Sequence, residues 1–224
     1  MNNLVSIITP SYNSSKFIEE CINSVITQSF IDWEMIIVDD YSTDNSRDLI
    51  LKFAKEDNRI NPIFLDENVG AAAARNIAIK QSKGRYIAFL DSDDIWKSEK
   101  LEKQLSFMNE KDIAFSFTAY QSMSEDGKEY FNIIKVPEKM TYASYLRNTI
   151  IGCLTVIIDK EKTGDFQMPN IRSSHDMALW LLIMRRGFSA YGLDENLSYY
   201  RIVFNSNTSK KWKAAKEVWD VYRK

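Results

Sequence analysis

Apolar and polar positions alternate along the chain with two different periods. Leu4 to Thr9 is a short β-rich run that ends at Pro10, and Ser11-Tyr12-Asn13-Ser14-Ser15 behind it supplies turn and helix-capping residues. Phe17, Ile18, Cys21, Ile22, Val25 and Ile26 then recur at helical spacing, which gives that segment one apolar face fading near Gln28-Ser29. Glu34-Met35-Ile36-Ile37-Val38 predicts a second strand. It runs into Asp39-Asp40-Tyr41-Ser42-Thr43-Asp44-Asn45-Ser46, an acidic turn that caps a helix over 47–55. The cycle returns with a strand over 60–65, the entry Asn68-Val69-Gly70, and a helix over 71–79. Tyr86 to Leu90 follows as a nearly continuous apolar run, the mark of a strand buried on both faces, and it leads directly into Asp91-Ser92-Asp93-Asp94.

Strand, polar turn and helix in alternation make βαβ units, and hence a parallel, doubly wound sheet. After a helix over 97–109 the alternation loosens. Strands are predicted over 113–120, 130–136, 153–158, 188–193 and 197–201, with a helix over 142–148. Ser173-Ser174-His175-Asp176 opens the most apolar helix of the chain, over 177–184, stopped by Arg185-Arg186-Gly187. The expected class is α/β: a Rossmann-like, doubly wound mixed sheet with a predominantly parallel first half. No repeat or low-complexity linker divides it, so a single domain over 1–224 is expected, with functional halves at 1–110 and 111–206.

Composition changes this picture little. With 224 residues, 45% of them hydrophobic, the chain can bury a full core. A net charge of -2 gives no whole-protein attraction to nucleic acid. Cys21 and Cys153 lie far apart in apolar segments and read as reduced core thiols. Met1-Asn2-Asn3 leads straight into the first strand without a basic, apolar leader, so a cytoplasmic location is expected. Asn207 to Lys224 sets Trp212, Ala215, Trp219 and Tyr222 at helical spacing among Lys210, Lys211, Lys213, Lys216, Arg223 and Lys224. That pattern predicts a basic amphipathic helix, suited either to packing on the domain or to weak, salt-sensitive contact with an anionic membrane surface.

The chemistry concentrates where strands end. Ligands on doubly wound sheets bind beyond the carboxyl ends of the strands, where Tyr12, Asp39, Asp40 and Asp91 to Asp94 would gather. An Asp-Ser-Asp-Asp run taken alone is ordinary turn and cap chemistry. Several acidic turns brought to one edge favour a site. Crowded carboxylates repel unless water, a basic partner or a divalent cation offsets them, and oxygen-only ligands suit magnesium or manganese rather than zinc. Asp176 stands in the first turn of a helix, where the dipole favours negative charge.

These segments together resemble the family 2 glycosyltransferases of GT-A fold. Ser6-Ile7-Ile8-Thr9-Pro10-Ser11-Tyr12-Asn13 resembles the first strand and donor loop, and Ile36 to Asp44 the acidic loop that holds the nucleobase. Gly70 through Arg75-Asn76 is similar to the Gly-x-x-x-Ala-Arg-Asn segment, and Asp91-Ser92-Asp93 to the Asp-x-Asp motif. The resemblance implies an inverting transfer from a UDP-sugar donor to a hydroxyl of a lipid-linked glycan acceptor in bacterial surface polysaccharide synthesis. It implies Pro10, Tyr12, Asp39, Asp40, Arg75, Asp91, Ser92 and Asp93 around the donor, with Asp40 for the base and Tyr12 stacking on it. Asp93 and Asp91 would hold Mn2+ or Mg2+, Asp176 would be the catalytic base, and His175 and Trp180 would lie toward the acceptor. Two departures stand out: His175 occupies a position where Glu is usual, and no histidine follows Tyr200-Arg201. Two alternatives share the fold, a sugar nucleotidyltransferase and a non-catalytic nucleotide-sugar-binding domain. The first would want a Gly-rich basic loop after the first strand, which Pro10 to Ser15 is not.

Overall fold

The computed structural model of the protein describes residues 3–171 and 174–203. The predicted basic helix over 207–224 lies outside the described residues, as does Ser173. β1 (Val5–Ser11), α1 (Ile18–Ile26), β2 (Trp33–Asp39), α2 (Ser46–Glu56), β3 (Ile60–Phe64), α3 (Ala71–Gln81) and β4 (Tyr86–Phe89) follow the alternation read from the sequence. β5 (Ile95–Trp96), α4 (Lys100–Glu110), β6 (Phe115–Met123), β7 (Tyr130–Ile134), β8 (Lys139–Met140) and α5 (Tyr142–Tyr145) come next. β9 (Ile157–Asp159), α6 (Lys160–Thr163), α7 (His175–Arg185) and β10 (Ala190–Arg201) complete the order.

Among the described residues the strands form one sheet in the order β3-β2-β1-β4-β9-β6-β10-β5, with β7 added to β6 and β8 to β10. β3, β2, β1 and β4 are mutually parallel, so their carboxyl ends share one edge. β9 runs antiparallel to both β4 and β6, and β10 parallel to β6. Side-chain alternation along the buried strands feeds two cores. Ile8, Ile36, Val38, Ile87 and Phe89 pack under α3 and α7, while Val5, Ile7, Met35, Ile37 and Ala88 pack under α1, α2 and α4. Gly84, just before β4, is required by close approach: a Cβ there would meet Leu4 O at 2.6 Å and Ser6 N at 2.7 Å.

Two readings of the second half are corrected. Cys153–Thr155 is a 3-10 turn, and the strand begins only at Ile157. The turn satisfies polar groups without a strand partner, Thr155 Oγ1 donating to Gly152 O at 2.7 Å and the distant Trp96 Nε1 donating to Leu154 O at 2.8 Å, so it has no need of a ladder. The two short strands predicted at 188–193 and 197–201 are one strand, β10, with irregular register between Leu193 and Asn196 and between Asn196 and Tyr199. Polar Asp194-Glu195 is accommodated as a bulge instead of a break.

The least expected core residue is Lys100, fully buried in the first turn of α4. Its Nζ donates to Gln104 Oε1 at 2.5 Å and lies 4.6 Å from the centre of the Trp96 ring, and it has no salt bridge among the described residues. Burial alone lowers its pKa from 10.5 to about 7. The unfolded chain therefore binds this proton at higher pH than the folded one, so the Lys100 contribution to stability rises as pH climbs from about 7 to 10. Chemical denaturation across that window should show the unfolding free energy increasing by an amount on the order of a few kcal/mol. In Lys100→Met this increment should vanish; an unchanged slope would assign it to other groups.

Candidate active site

The parallel register sets Ser11 beside Asp39 and Ile8 beside Phe89, which brings the loops after β1, β2 and β4 to one edge. The first two loops are stitched together. Asp40 N donates to Ser11 O at 2.8 Å, Asn13 N to Ser42 Oγ at 2.9 Å, Thr43 N to Asn13 Oδ1 at 2.8 Å, and Ser15 N to Asp44 Oδ2 at 3.0 Å. Asn13 and Tyr41 take positive φ values of 48° and 67°, and Tyr12 and Tyr41 are left exposed above the edge. Pro10 sits at the end of β1, where its missing N–H leaves the register with Val38 intact.

The paired acids of the second loop divide their work. Asp40 is buried and uses both carboxylate oxygens on backbone, accepting from Val69 N at 2.7 Å and Gly70 N at 2.8 Å, while its carbonyl accepts from Asn68 Nδ2 at 3.0 Å. It anchors the entry to α3, where Gly70 holds φ 88°. Asp39 is also buried, and its Oδ1 accepts from Ser42 N at 3.0 Å and Arg47 Nε at 2.6 Å. Its Oδ2 is buried with no partner among the described residues. The unsatisfied acceptor therefore lies on Asp39, whereas both carboxylate oxygens of Asp40, expected to meet the base, are held by the loop.

The acids after β4 are graded by depth. Asp91 is about a third exposed and is bound by Arg75 Nη2. Asp93 is pushed up to about 6, first by burial and then by the Asp91 charge. Asp94 is fully buried and raised well above the ordinary carboxyl range by burial, then by Asp93 and Asp91. It accepts from Arg201 N at 2.9 Å, and Arg201 Nε donates to Asp93 O at 2.8 Å. Ser92 stands between them, half-buried. Burial, with help from the same acids, raises the thiol pKa of Cys21, so it stays a protonated core thiol as expected.

Arg75 reaches from α3 into the second half of the chain. Its side chain is buried, Nη2 bound to Asp91 and Nη1 in contact with His175 Nε2 at 2.5 Å. His175 and Asp176 open α7 behind Ser174, which adopts φ 55° and ψ 25° without capping the helix through its side chain. A left-handed conformation costs a non-glycine residue about 1–2 kcal/mol, and strain of this kind collects at functional sites. Trp180 contradicts its expected acceptor role. It is fully buried, with the Phe89 and Phe115 rings each 5.4 Å away, centre to centre, because the α7 face that carries it points into the core. Arg47 and Arg201 were not expected at the site. Arg47 carried a signal, since a cation in the first turn of a helix runs against the dipole. Arg201 is separated from the acids by the whole second half, and nothing local marks it.

A parallel sheet whose acidic loops converge on one edge, with a helix-borne aspartate facing it from a mixed second half, defines a glycosyltransferase of GT-A type. The sequence model of Glycosyl transferase family 2 matches residues 6–162, and the chain belongs to that family. TuaG of Bacillus subtilis, named for teichuronic acid biosynthesis, is 57% identical over 220 residues, covering 98% of this chain and 87% of that protein. The Escherichia coli UDP-Glc:alpha-D-GlcNAc-diphosphoundecaprenol beta-1,3-glucosyltransferase WfgD is 41% identical over 219 residues, covering 97% of this chain and 85% of that protein. In fold, the chain is similar to S. aureus TarS 1-349 in complex with UDP-GlcNAc, with a TM-score of 0.78 at 24% identity, over 98% of this chain and 64% of that one.

The Trp180 correction is testable. Trp180→Phe should lower the unfolding free energy by about 1–3 kcal/mol, as large-to-small core changes do, and leave the acceptor KM unchanged in transfer assays. A raised acceptor KM with unaltered stability would restore its acceptor role.

Proposed function

We propose that the protein is an inverting glycosyltransferase that moves a sugar from a UDP-sugar to a hydroxyl of an undecaprenyl-diphosphate-linked glycan in bacterial surface polysaccharide synthesis. The observation that carries the reading is the convergence of an open Asp39 oxygen, the Asp91–Asp93 pair and helix-borne Asp176 at one sheet edge. The names of the relatives supply the substrate class: WfgD is named for beta-1,3 transfer from UDP-Glc to a lipid-diphosphate-linked GlcNAc.

The residues divide the reaction between them. Asp39 Oδ2 accepts from the uracil N–H, a role that passes to it from Asp40, and exposed Tyr12 stacks on the ring. Among the described residues no group of three or more His, Cys, Asp or Glu side chains converges as a metal site. The raised carboxyl of Asp93 beside Asp91 marks negative charge that a cation would relieve. Asp91 and Asp93 are the residues that would hold a Mn2+ or Mg2+ beside the donor diphosphate. Bound there, the ion would supply positive charge against the departing diphosphate. Arg75 adds a fixed cation behind Asp91. Asp176 takes the proton of the acceptor hydroxyl as its oxygen attacks the anomeric carbon opposite the leaving group, and the configuration inverts. No described helix is long and apolar enough to cross a membrane. The protein would meet its lipid-borne acceptor at the inner membrane face through the basic segment 207–224.

A donor panel with manganese, followed by UDP release, tests the class of reaction; no turnover with any UDP-sugar in the presence of lipid-linked acceptor would overturn it. Asp93→Ala should lose activity and metal-dependent UDP binding together. Asp176→Asn should lower kcat by about 10²–10⁴-fold with donor KM nearly unchanged, the loss typical of a missing proton acceptor. NMR coupling constants of the product should show the anomeric configuration opposite to the donor's. Binding to anionic vesicles at low salt should be lost on truncation after Thr208; equal binding by the truncated chain would remove that segment from the membrane role.

A further inference from the structure

The residue that departs from the family pattern is also the one that joins the two halves of the site. We infer that His175 is a positioning residue: its Nε2 accepts a hydrogen bond from Arg75, whose other nitrogen holds Asp91, so that the helix carrying Asp176 is registered against the donor carboxylates. This rests on the reading of Asp176 as the base.

The chemistry of the contact fixes its direction. A guanidinium has donors only, so the 2.5 Å Arg75 Nη1 to His175 Nε2 contact requires a lone pair on Nε2. The ring is then neutral, with its proton on Nδ1. Nδ1 is buried, with the Ile171 backbone as its hydrogen-bonding neighbour, while Arg75 Nε is buried without a partner among the described residues. An unsatisfied buried guanidinium donor is costly, and its retention points to a geometric demand at the shared contact. Burial and the Arg75 charge both lower the His175 pKa, which agrees with a neutral ring.

A second observation makes α3 the organiser of this region. Asn76, the residue after Arg75, grips the chain on its way to α7 by donating from Nδ2 to Met168 O at 2.8 Å and accepting at Oδ1 from Met168 N at 2.7 Å. Consecutive side chains of one helix thus hold the incoming segment at Met168 and at His175. Asp176 follows His175 directly in the first turn, so a shift at His175 is a shift at the base.

His175 is the single histidine of the chain, so its ring can be read without assignment. Long-range 1H–15N spectra of the histidine-labelled, full-length protein should show the Nδ1–H tautomer, opposite to the Nε2–H form that free imidazole side chains prefer. Arg75→Met should return the ring to the ordinary form or to exchange. An Nε2–H tautomer in the unsubstituted protein, or a spectrum indifferent to Arg75→Met, overturns the proposal whatever the enzyme's substrates prove to be. In transfer assays His175→Ala should lower kcat by about 30–100-fold while donor KM moves less than about threefold, the signature of a misplaced group whose binding partners remain. His175→Gln, which keeps an acceptor at a similar reach, should recover kcat to within about fivefold. Equal loss in both variants, or a loss confined to donor KM, would assign His175 to packing or to donor binding. If the spectra behave as expected and Asp176→Asn stays fully active, the link stands and the base is another residue.

Discussion

Like charges held close together at the edge of a sheet are the constraint that organises the molecule. Asp39, Asp40, Asp91, Asp93 and Asp94 all lie at the carboxyl ends of parallel strands, most of them out of water, where mutual repulsion is least screened. Four of the five are answered from different parts of the chain: Arg47 for Asp39, the Val69 and Gly70 amides for Asp40, Arg75 for Asp91, the Arg201 amide for Asp94. The loops acquire their shape from these answers. The entry to α3, the first turn of α2 and the end of β10 are all placed by an acid that needs them. Asp93 has no side-chain hydrogen bond from another element among the described residues, and its carboxyl stays high, near 6. Charge balance thus leaves the unmet need where a cationic ligand would enter.

The N-terminal half was legible because its signals are local. Period-two apolar runs broken by acidic turns identify β1, β2 and β4, and parallel topology then dictates that their loops meet. What each acid does was not legible in the same way. Asp39 and Asp40 are neighbours of one type in one turn, and only the arrival of Val69 and Gly70 from another loop shows which of them is free to bind. Trp180 misled because α7 is apolar around most of its circumference, so periodicity could not say which side faces the site. Arg201 lay beyond reach for a different reason. Its guanidinium touches Glu20, Glu125 O and Asp93 O, and its charge meets the Phe17 ring, groups that no local pattern links to the end of β10.

The direction of β9 explains why a second half is needed on the same edge. Because β9 is antiparallel to β4, the chain enters it from the site edge through the 3-10 turn at Cys153–Thr155 and leaves at the far edge. Arg85, just before β4, closes that far end on Asp159 at 2.6 Å. The chain must then cross back over the sheet to bring α7 to the site, and residues 164–171, without helix or strand, have little of their own to fix where the crossing lands. The crossing lies over α3, and Asn76 pins it by both backbone groups of Met168 before Arg75 meets the end of the journey at His175. A helix whose N-terminal loop is shaped by Asp40 thereby sets the position of Asp176. The loop after β2, the crossing segment and Asp176 belong to one mechanical chain, and the left-handed Ser174 falls at its final link, immediately before α7.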